Sequence, residues 1–314
     1  MKWKVLVSAP YMRPVLERVE ATLNDAGCEV TAPPVRERLE EADLLPLVGG
    51  IDGVICGDDR FTRRVLESAR SLKVISKWGT GIDSIDREAC RELGIRVCNT
   101  PGAFTVPVAD SVFAMMLAFA RRTPSMDRDM KMGKWEKIGG FTLAESTLGI
   151  VGLGNIGREV ATRARAFGMK VLGTDPVEPP PEWFRSTGVE RAELGEVLAQ
   201  SDFVTLHCDL NPTSYHLLNR QNLRQMKRSA VLINTSRGPV VDEPALIDAL
   251  RHGTICGAGL DVFEVEPLPE SSPLRRMEQV ILAPHNANSS PAAWERVHRS
   301  SIENLLTGLR EVQR

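Results

Sequence analysis

Three residues in the last third of the chain could together hold an anion and move a proton: Arg237, Glu266 and His285. Arg237 follows the apolar run Ala230–Asn234, Glu266 lies beyond Ile255–Leu260, and His285 follows Val280–Ala283. A guanidinium can grip a carboxylate through two parallel N–H bonds and polarise the carbonyl beside it. An imidazole can give a proton to that carbonyl oxygen, or take it back in the reverse direction. A carboxylate bonded to the imidazole orients it and favours its protonated form. In open parallel sheets ligands bind beyond the carboxyl ends of the strands, so residues at three such ends can converge on one cleft. The set fits the interconversion of a 2-keto acid and a 2-hydroxy acid. Taken singly, each has a plainer reading: Arg237 as a surface ion-pair residue, His285 as a turn histidine, Glu266 as a solvated loop acid. Their shared placement favours the chemical reading.

Such a reaction needs a hydride carrier, and a second motif supplies a place for one. Gly152-Leu153-Gly154-Asn155-Ile156-Gly157 is a G-x-G-x-x-G sequence that follows the apolar run Thr147–Val151 and opens the helical pattern Arg158–Phe167. Lys170–Thr174 then reads as a second strand, and Asp175 stands 18 residues past Gly157. In this context Gly152 permits a tight turn, Gly154 lets backbone approach a pyrophosphate, and Gly157 lets the helix pack on the strand. The N–H groups of Asn155 and Ile156 open the helix and can bind phosphate. Asp175 can accept bonds from the adenosine ribose hydroxyls and would repel a 2′-phosphate, which favours NAD over NADP. A Gly-rich turn without ligand, or a methyltransferase built on the same turn, is the competing reading.

The elements that must position these residues alternate between short apolar runs and helical patterns along the whole chain. Lys4–Ser8, Gly53–Cys56, Lys73–Ser76 and Arg96–Cys98 read as strands, with helices over Arg13–Ala26 and Arg87–Leu93. A longer helix is expected from near Val108 to Arg121, then a charged, solvated helical segment over Asp127–Lys137. A second series of six strands follows: Thr147–Val151, Lys170–Thr174, Phe203–His207, Ala230–Asn234, Ile255–Leu260 and Val280–Ala283. One amphipathic helix, Ala292–Leu309, closes the pattern. Alternation of this kind predicts an α/β protein of two doubly wound parallel-sheet domains.

Bulk properties narrow the classes. The 314 residues are 42% hydrophobic and 25% charged, with a net charge of −2, which suits two soluble domains and gives no basic excess for nucleic acid. The longest apolar stretch, Val112–Ala120, is too short to cross a bilayer, and the first residues do not read as a signal peptide. No nucleic-acid or membrane partner is expected. The six cysteines (Cys28, Cys56, Cys90, Cys98, Cys208, Cys256) form no C-x-x-C pair, as in a reduced cytoplasmic protein. His207 ends a strand and reads as a packing residue. His216, His252 and His298 read as surface or structural, and with no ligand cluster no metal is expected.

Taken in order, Trp78-Gly79-Thr80-Gly81-Ile82-Asp83-Ser84-Ile85-Asp86, Asn99-Thr100-Pro101-Gly102, Leu148–Gly157, Asn234–Asp242, Ala258–Pro267 and Pro284-His285 resemble the NAD-dependent D-isomer-specific 2-hydroxyacid dehydrogenases over nearly the whole chain. The resemblance implies a Rossmann NAD-binding domain over residues 100–287. It also implies a discontinuous, flavodoxin-like substrate domain over 1–99 plus 288–314, with catalysis in the cleft between them. It implies Arg237, Glu266 and His285 as the catalytic set, and the backbone of Lys77, Trp78, Gly79, Thr80 and Gly81 as the carboxylate cradle, with Thr80 also near the nicotinamide. Cofactor contacts carry over to Asn155, Ile156, Asp175, Cys208, Thr235, Ser236, Arg237 and Asp261, and to the loop from His285 to Asn288. A homodimer is implied, with the helix after Val108 in its interface.

The departures concern the substrate. Where the family's phosphoglycerate dehydrogenases hold a phosphate, this chain aligns Cys56, Gly57, Phe104 and Trp294. Phe104 and Trp294 cannot bind a dianion as arginine would, although Arg60 and Lys77 could supply cations from other directions. Glu266, where related formate dehydrogenases have Gln, argues against formate. The expectation is therefore a small unphosphorylated 2-keto acid of the hydroxypyruvate or glyoxylate kind. The alternatives are a phosphoglycerate or phosphonate-analogue dehydrogenase and, from another class, an NAD(H)-sensing corepressor-like binding protein.

Overall fold

The ten apolar runs and two further segments form twelve strands in a computed structural model that describes residues 2–312: β1 (Trp3–Val7), β2 (Cys28–Thr31), β3 (Gly53–Cys56), β4 (Val74–Lys77), β5 (Arg96–Cys98), β6 (Thr147–Val151), β7 (Lys170–Thr174), β8 (Glu190–Arg191), β9 (Phe203–Leu206), β10 (Val231–Asn234), β11 (Gly257–Leu260) and β12 (Val280–Leu282). They form two parallel sheets, each in its own compact unit. One unit comprises the described residues up to Phe104 together with those from Ser290 onward; the other is Thr105–Ser289.

The first sheet has the order β2-β1-β3-β4-β5, the flavodoxin-like doubly wound order. The second runs β12-β11-β10-β9-β6-β7-β8, which is the Rossmann order with one further strand beyond β11. Strands β3, β4, β9, β10 and β11 are buried at every position, as strands covered by helices on both faces must be. Fully burying each Val, Leu or Ile there contributes about 1.5–3 kcal/mol.

The helix expected from Val108 begins earlier and spans Thr105–Arg121. Pro107 fits its first turn, where no helical N–H partner is required. Its stripe Val108, Val112, Met115 and Met116 is buried at helical spacing. Of the charged segment Asp127–Lys137, only the part to Lys131 is helical, in the helix Thr123–Lys131. Pro10–Val15 winds as a 3-10 turn, so the first α-helix is Leu16–Asp25. The second series contains seven strands rather than six, β8 being the addition, and β2 is a further strand that sequence pattern did not show.

The topology decides where chemistry can occur. The order reverses at β6, between β9 and β7, and the Gly-rich turn leaves β6 at that switch point. Asp175 follows β7, Asp261 follows β11, and Arg237 and His285 each stand three residues past β10 and β12, all at the carboxyl edge of one sheet. In the first unit, Gly57 follows β3 and Trp78 follows β4 at the equivalent edge.

Candidate active site

The Gly-rich turn is shaped by what its residues lack. Gly152 has φ of +98°, a conformation that a side chain disfavours. A Cβ there would also lie 2.6 Å from the His207 carbonyl carbon and 2.7 Å from the Cys208 nitrogen. A Cβ on Gly157 would collide with the Gly152 carbonyl oxygen, whereas a Cβ on Gly154 would meet nothing within 4 Å. The turn is thus closed against the protein on one side and open at Gly154. The helix Asn155–Ala166 starts here with no side chain capping it, so the amides of its first turn face outward for an anion. Asp175 completes the edge: its carboxylate accepts bonds from Leu153 N at 2.6 Å and Val177 N at 2.7 Å.

The proton-handling pair is formed directly. Glu266 Oε2 lies 2.9 Å from His285 Nδ1, and Glu266 Oε1 accepts the Phe263 amide at 2.9 Å. A carboxylate only accepts, so Nδ1 carries the proton of that bond. His285 itself takes a positive φ of 52°. Its amide donates to the Asp261 carbonyl at 2.8 Å. The Asp261 carboxylate receives the next two amides, Asn286 N at 2.8 Å and Ala287 N at 2.9 Å, and Asn288 lies in the same loop. Asp261 thus clamps the loop that carries the imidazole. Burial pushes its carboxyl above the usual range, opposed by those two amides and the neighbouring His285.

Arg237 stands in a turn built by Asn234. Asn234 Oδ1 accepts from Ser236 N at 3.0 Å and Ser236 Oγ at 2.9 Å, and Asn234 Nδ2 donates to the Arg237 carbonyl at 2.9 Å. Arg237 Nη1 donates to Ser236 O at 2.9 Å. Asn234 was not singled out from sequence, although asparagine closing a strand into a turn is a recognisable Asx pattern. Between them, Thr235 has a buried Oγ1 with no hydrogen-bond partner among the described residues, a cost that a bound polar group would relieve.

The remaining histidines separate by environment. His207 bonds Thr205 Oγ1 at 2.9 Å, and burial pushes it down to about 3. It is neutral near pH 7 and cannot serve as the acid. The adjacent Cys208 thiol is pushed up to about 11 by burial. His216 pairs with Glu264 at 2.8 Å, His252 Nδ1 lies 2.8 Å from the Asp248 carbonyl oxygen, and buried His298 receives the Trp78 indole N–H at 2.9 Å.

In the first unit, the residues Lys77 to Gly81 form a loop tied down at several points. Trp78 N donates to Cys56 O at 2.8 Å, Thr100 N donates to Gly79 O at 2.9 Å, and Asn99 Nδ2 donates to Thr80 O at 2.7 Å. Gly79 has φ of +123°. Lys77 is buried, with Nζ 3.1 Å from both the Asp58 carboxylate and the Trp78 carbonyl. Around Trp78 stand Tyr11, stacked at 4.4 Å, Phe104 at 5.5 Å and Trp294 at 6.4 Å between ring centroids.

A Gly-rich turn at a Rossmann switch point, with an acid past the second strand and an Arg and a Glu–His pair at the same sheet edge, defines a dinucleotide-dependent oxidoreductase. Comparison with known proteins gives the family. Residues 113–287 match the model of the D-isomer specific 2-hydroxyacid dehydrogenase NAD-binding domain. A glyoxylate reductase of Korarchaeum cryptofilum is 39% identical over 98% of this chain and 92% of its own length. A hydroxypyruvate reductase of Thermotoga maritima is 36% identical over 98% and 99%. A D-3-phosphoglycerate dehydrogenase of Methanocaldococcus jannaschii is 38% identical, but the chain spans only 57% of its length. Among solved structures, the D-lactate dehydrogenase of Aquifex aeolicus in complex with NAD and lactic acid is 28% identical with a TM-score of 0.87, covering 96% of this chain and 93% of that one. The chain belongs to the D-isomer specific 2-hydroxyacid dehydrogenases and is an NAD-dependent oxidoreductase. NAD fits what the second unit offers: the open approach at Gly154, the helix start at Asn155, the Asp175 carboxylate and the orphaned Thr235 hydroxyl. No helix among the described residues is long and apolar enough to cross a membrane.

Proposed function

We propose that the protein reduces a small unphosphorylated 2-keto acid, of the hydroxypyruvate or glyoxylate kind, to its D-2-hydroxy acid. The observation that carries this reading is the 2.9 Å bond between Glu266 and His285 Nδ1, which dedicates one imidazole nitrogen to positioning and the other to proton transfer. When bound, NADH supplies the hydride. His285 donates the proton to the carbonyl oxygen, and Glu266 stabilises the imidazolium form beforehand. Arg237 holds the carboxylate and polarises the carbonyl. In the first unit, which we assign as the substrate-binding domain, the Lys77–Gly81 loop is the segment whose amides suit a carboxylate. Gly154, Asn155 and Ile156 receive the pyrophosphate, with Gly152 and Gly157 shaping the turn; Asp175 receives the adenosine ribose, and Cys208, Thr235, Ser236, Asp261 and Asn288 lie along the rest of the cofactor.

The absence of phosphate chemistry rests on the first unit. Phe104 and Trp294 belong to the aromatic group around Trp78, Cys56 is fully buried, and Lys77 is already paired with Asp58. Relatives named glyoxylate and hydroxypyruvate reductase support the same class. The test is a comparison of kcat/KM for glyoxylate, hydroxypyruvate, phosphohydroxypyruvate and phosphonopyruvate, each with NADH and NADPH. The unphosphorylated acids should lead, and NADH should exceed NADPH because Asp175 repels a 2′-phosphate. A phosphohydroxypyruvate advantage above about tenfold, roughly 1.4 kcal/mol, refutes the substrate assignment, and NADPH parity refutes the role of Asp175.

Assembly as a homodimer is part of the proposal. After the helix Thr123–Lys131, Met132 is 58% exposed and Trp135 81% exposed, with Met130 and Phe141 also open. Apolar side chains gathered on one such segment mark a contact surface. Light scattering should give twice 34.6 kDa; a monomer mass overturns this. The free, buried Cys28, Cys56 and Cys90 suit a reducing, cytoplasmic setting.

A further inference from the structure

The segment Phe263–Glu264 touches more of the catalytic apparatus than its sequence suggests. Its Phe263 amide holds one oxygen of Glu266, whose other oxygen holds His285. Its peptide also lies directly on Gly238, the residue after Arg237. A Cβ on Gly238 would collide with the Phe263 carbonyl group and stand 2.5 Å from the Glu264 nitrogen. The turn that presents Arg237 and the loop that presents Glu266 are therefore packed backbone to backbone at this one point.

Glu264 is pinned there from two other directions. Its Oε1 accepts the Glu243 amide at 3.1 Å, and its own amide donates back to Glu243 Oε2 at 3.2 Å. Glu243 is the first residue of the helix Glu243–Arg251, so Glu264 also satisfies an amide that the helix leaves unpaired. His216 Nε2 bonds the same Oε1 at 2.8 Å. His216 is itself anchored by a bond from its amide to the Pro239 carbonyl at 2.8 Å. Three elements that are distant in sequence (the loop before Leu217, the start of the Glu243 helix and the loop after β11) thus meet on a single carboxylate.

We infer that Glu264, gripped by His216 and Glu243, is a positioning residue for the reaction, fixing the Phe263–Glu266 loop so that Glu266 meets the His285 imidazole squarely. The inference rests on the proposed proton-transfer role of His285. Glu264 does not touch the substrate; it acts through the Phe263 amide. Losing the grip lets the loop shift by fractions of an ångström, and misplacement of a catalytic group on that scale is costly.

The test compares Glu264→Ala with Glu264→Gln in the full-length enzyme. Glu264→Ala should lower kcat for keto-acid reduction about tenfold, with KM for NADH within about twofold. It should also move the alkaline limb of the pH–rate profile to lower pH, because a misaligned Glu266 no longer supports the imidazolium. Glu264→Gln keeps an acceptor oxygen for His216 and Glu243 and should recover most of the rate and the profile. Wild-type kcat and pH profile in Glu264→Ala overturn the inference. So does a loss matched fully by a fall in melting temperature with an unmoved profile, and so does a Glu264→Gln enzyme as impaired as the alanine variant. Should Glu264→Ala not fold, His216→Ala removes one grip from outside the loop and must show the same profile shift in smaller measure, or the inference fails. His285→Ala in the same assays separates the two levels: full activity there overturns the proton-transfer reading itself, whereas a dead His285→Ala beside an unaffected Glu264→Ala overturns only the positioning role.

Discussion

His285→Ala is expected to lower kcat for 2-keto acid reduction on the order of 10²–10⁴-fold, the usual value of a positioned general acid, while NADH affinity stays within about twofold. The imidazole reaches its place through a loop clamped by Asp261 on the amides of Asn286 and Ala287, and alanine leaves those backbone bonds intact, so the loss is chemical. His207 cannot substitute, since burial holds it neutral with a pKa pushed down to about 3. Glu266→Gln is the gentler companion. Reduction needs the protonated imidazole, and replacing the carboxylate removes the charge that favours it. The variant's reductive rate should therefore fall off at lower pH than the wild type's as pH rises. Steady-state kinetics across pH, with NADH binding followed by fluorescence, reads both effects; near-full activity in His285→Ala sinks the scheme.

How far these assignments were legible beforehand depended on whether the signal was local. Strands β3, β6 and β7 match their apolar runs residue for residue, because interior parallel strands are largely buried and carry mostly hydrophobic sequence. β2 and β8 were invisible for the opposite reason. Each lies at one edge of its sheet, β2 is buried at one position only and β8 is exposed at both of its positions, so no run of hydrophobic residues marks them. The Gly-rich turn could be read in detail because it is one contiguous segment whose parts have fixed roles.

The supports of the site were not legible in the same way. Asp261 was read as a cofactor contact, and the structure shows its carboxylate engaged by two amides 25 and 26 residues away. The Glu264 cluster joins residues up to 48 positions apart. Nothing local marks Gly238, and only the Phe263 backbone lying against it shows why no side chain fits. Such pairings come from the order in which strands assemble, which a single sequence encodes only through the whole fold.

Arg237→Ala is expected to cost on the order of 10²–10⁴-fold in kcat/KM for the keto acid. The guanidinium is asked for two charge-assisted hydrogen bonds to the carboxylate, each worth about 1.5–3 kcal/mol, and the polarisation of the neighbouring carbonyl comes from the same charge. Because it acts on ground state and transition state together, both KM and kcat should worsen, unlike the His285 variant, where KM is nearly spared. Arg237→Lys decides between charge and shape. The turn holding residue 237 is built mainly by Asn234 through the Ser236 amide and hydroxyl and the Arg237 carbonyl; the guanidinium adds one bond to Ser236 O, so lysine keeps the Asn234 bonds that set the backbone position. It would carry the charge but not the planar fork. A lysine enzyme that stays within about tenfold of alanine shows that paired hydrogen bonding governs binding. Recovery to near wild type would mean that a point charge suffices and that the bidentate grip assigned to Arg237 is wrong.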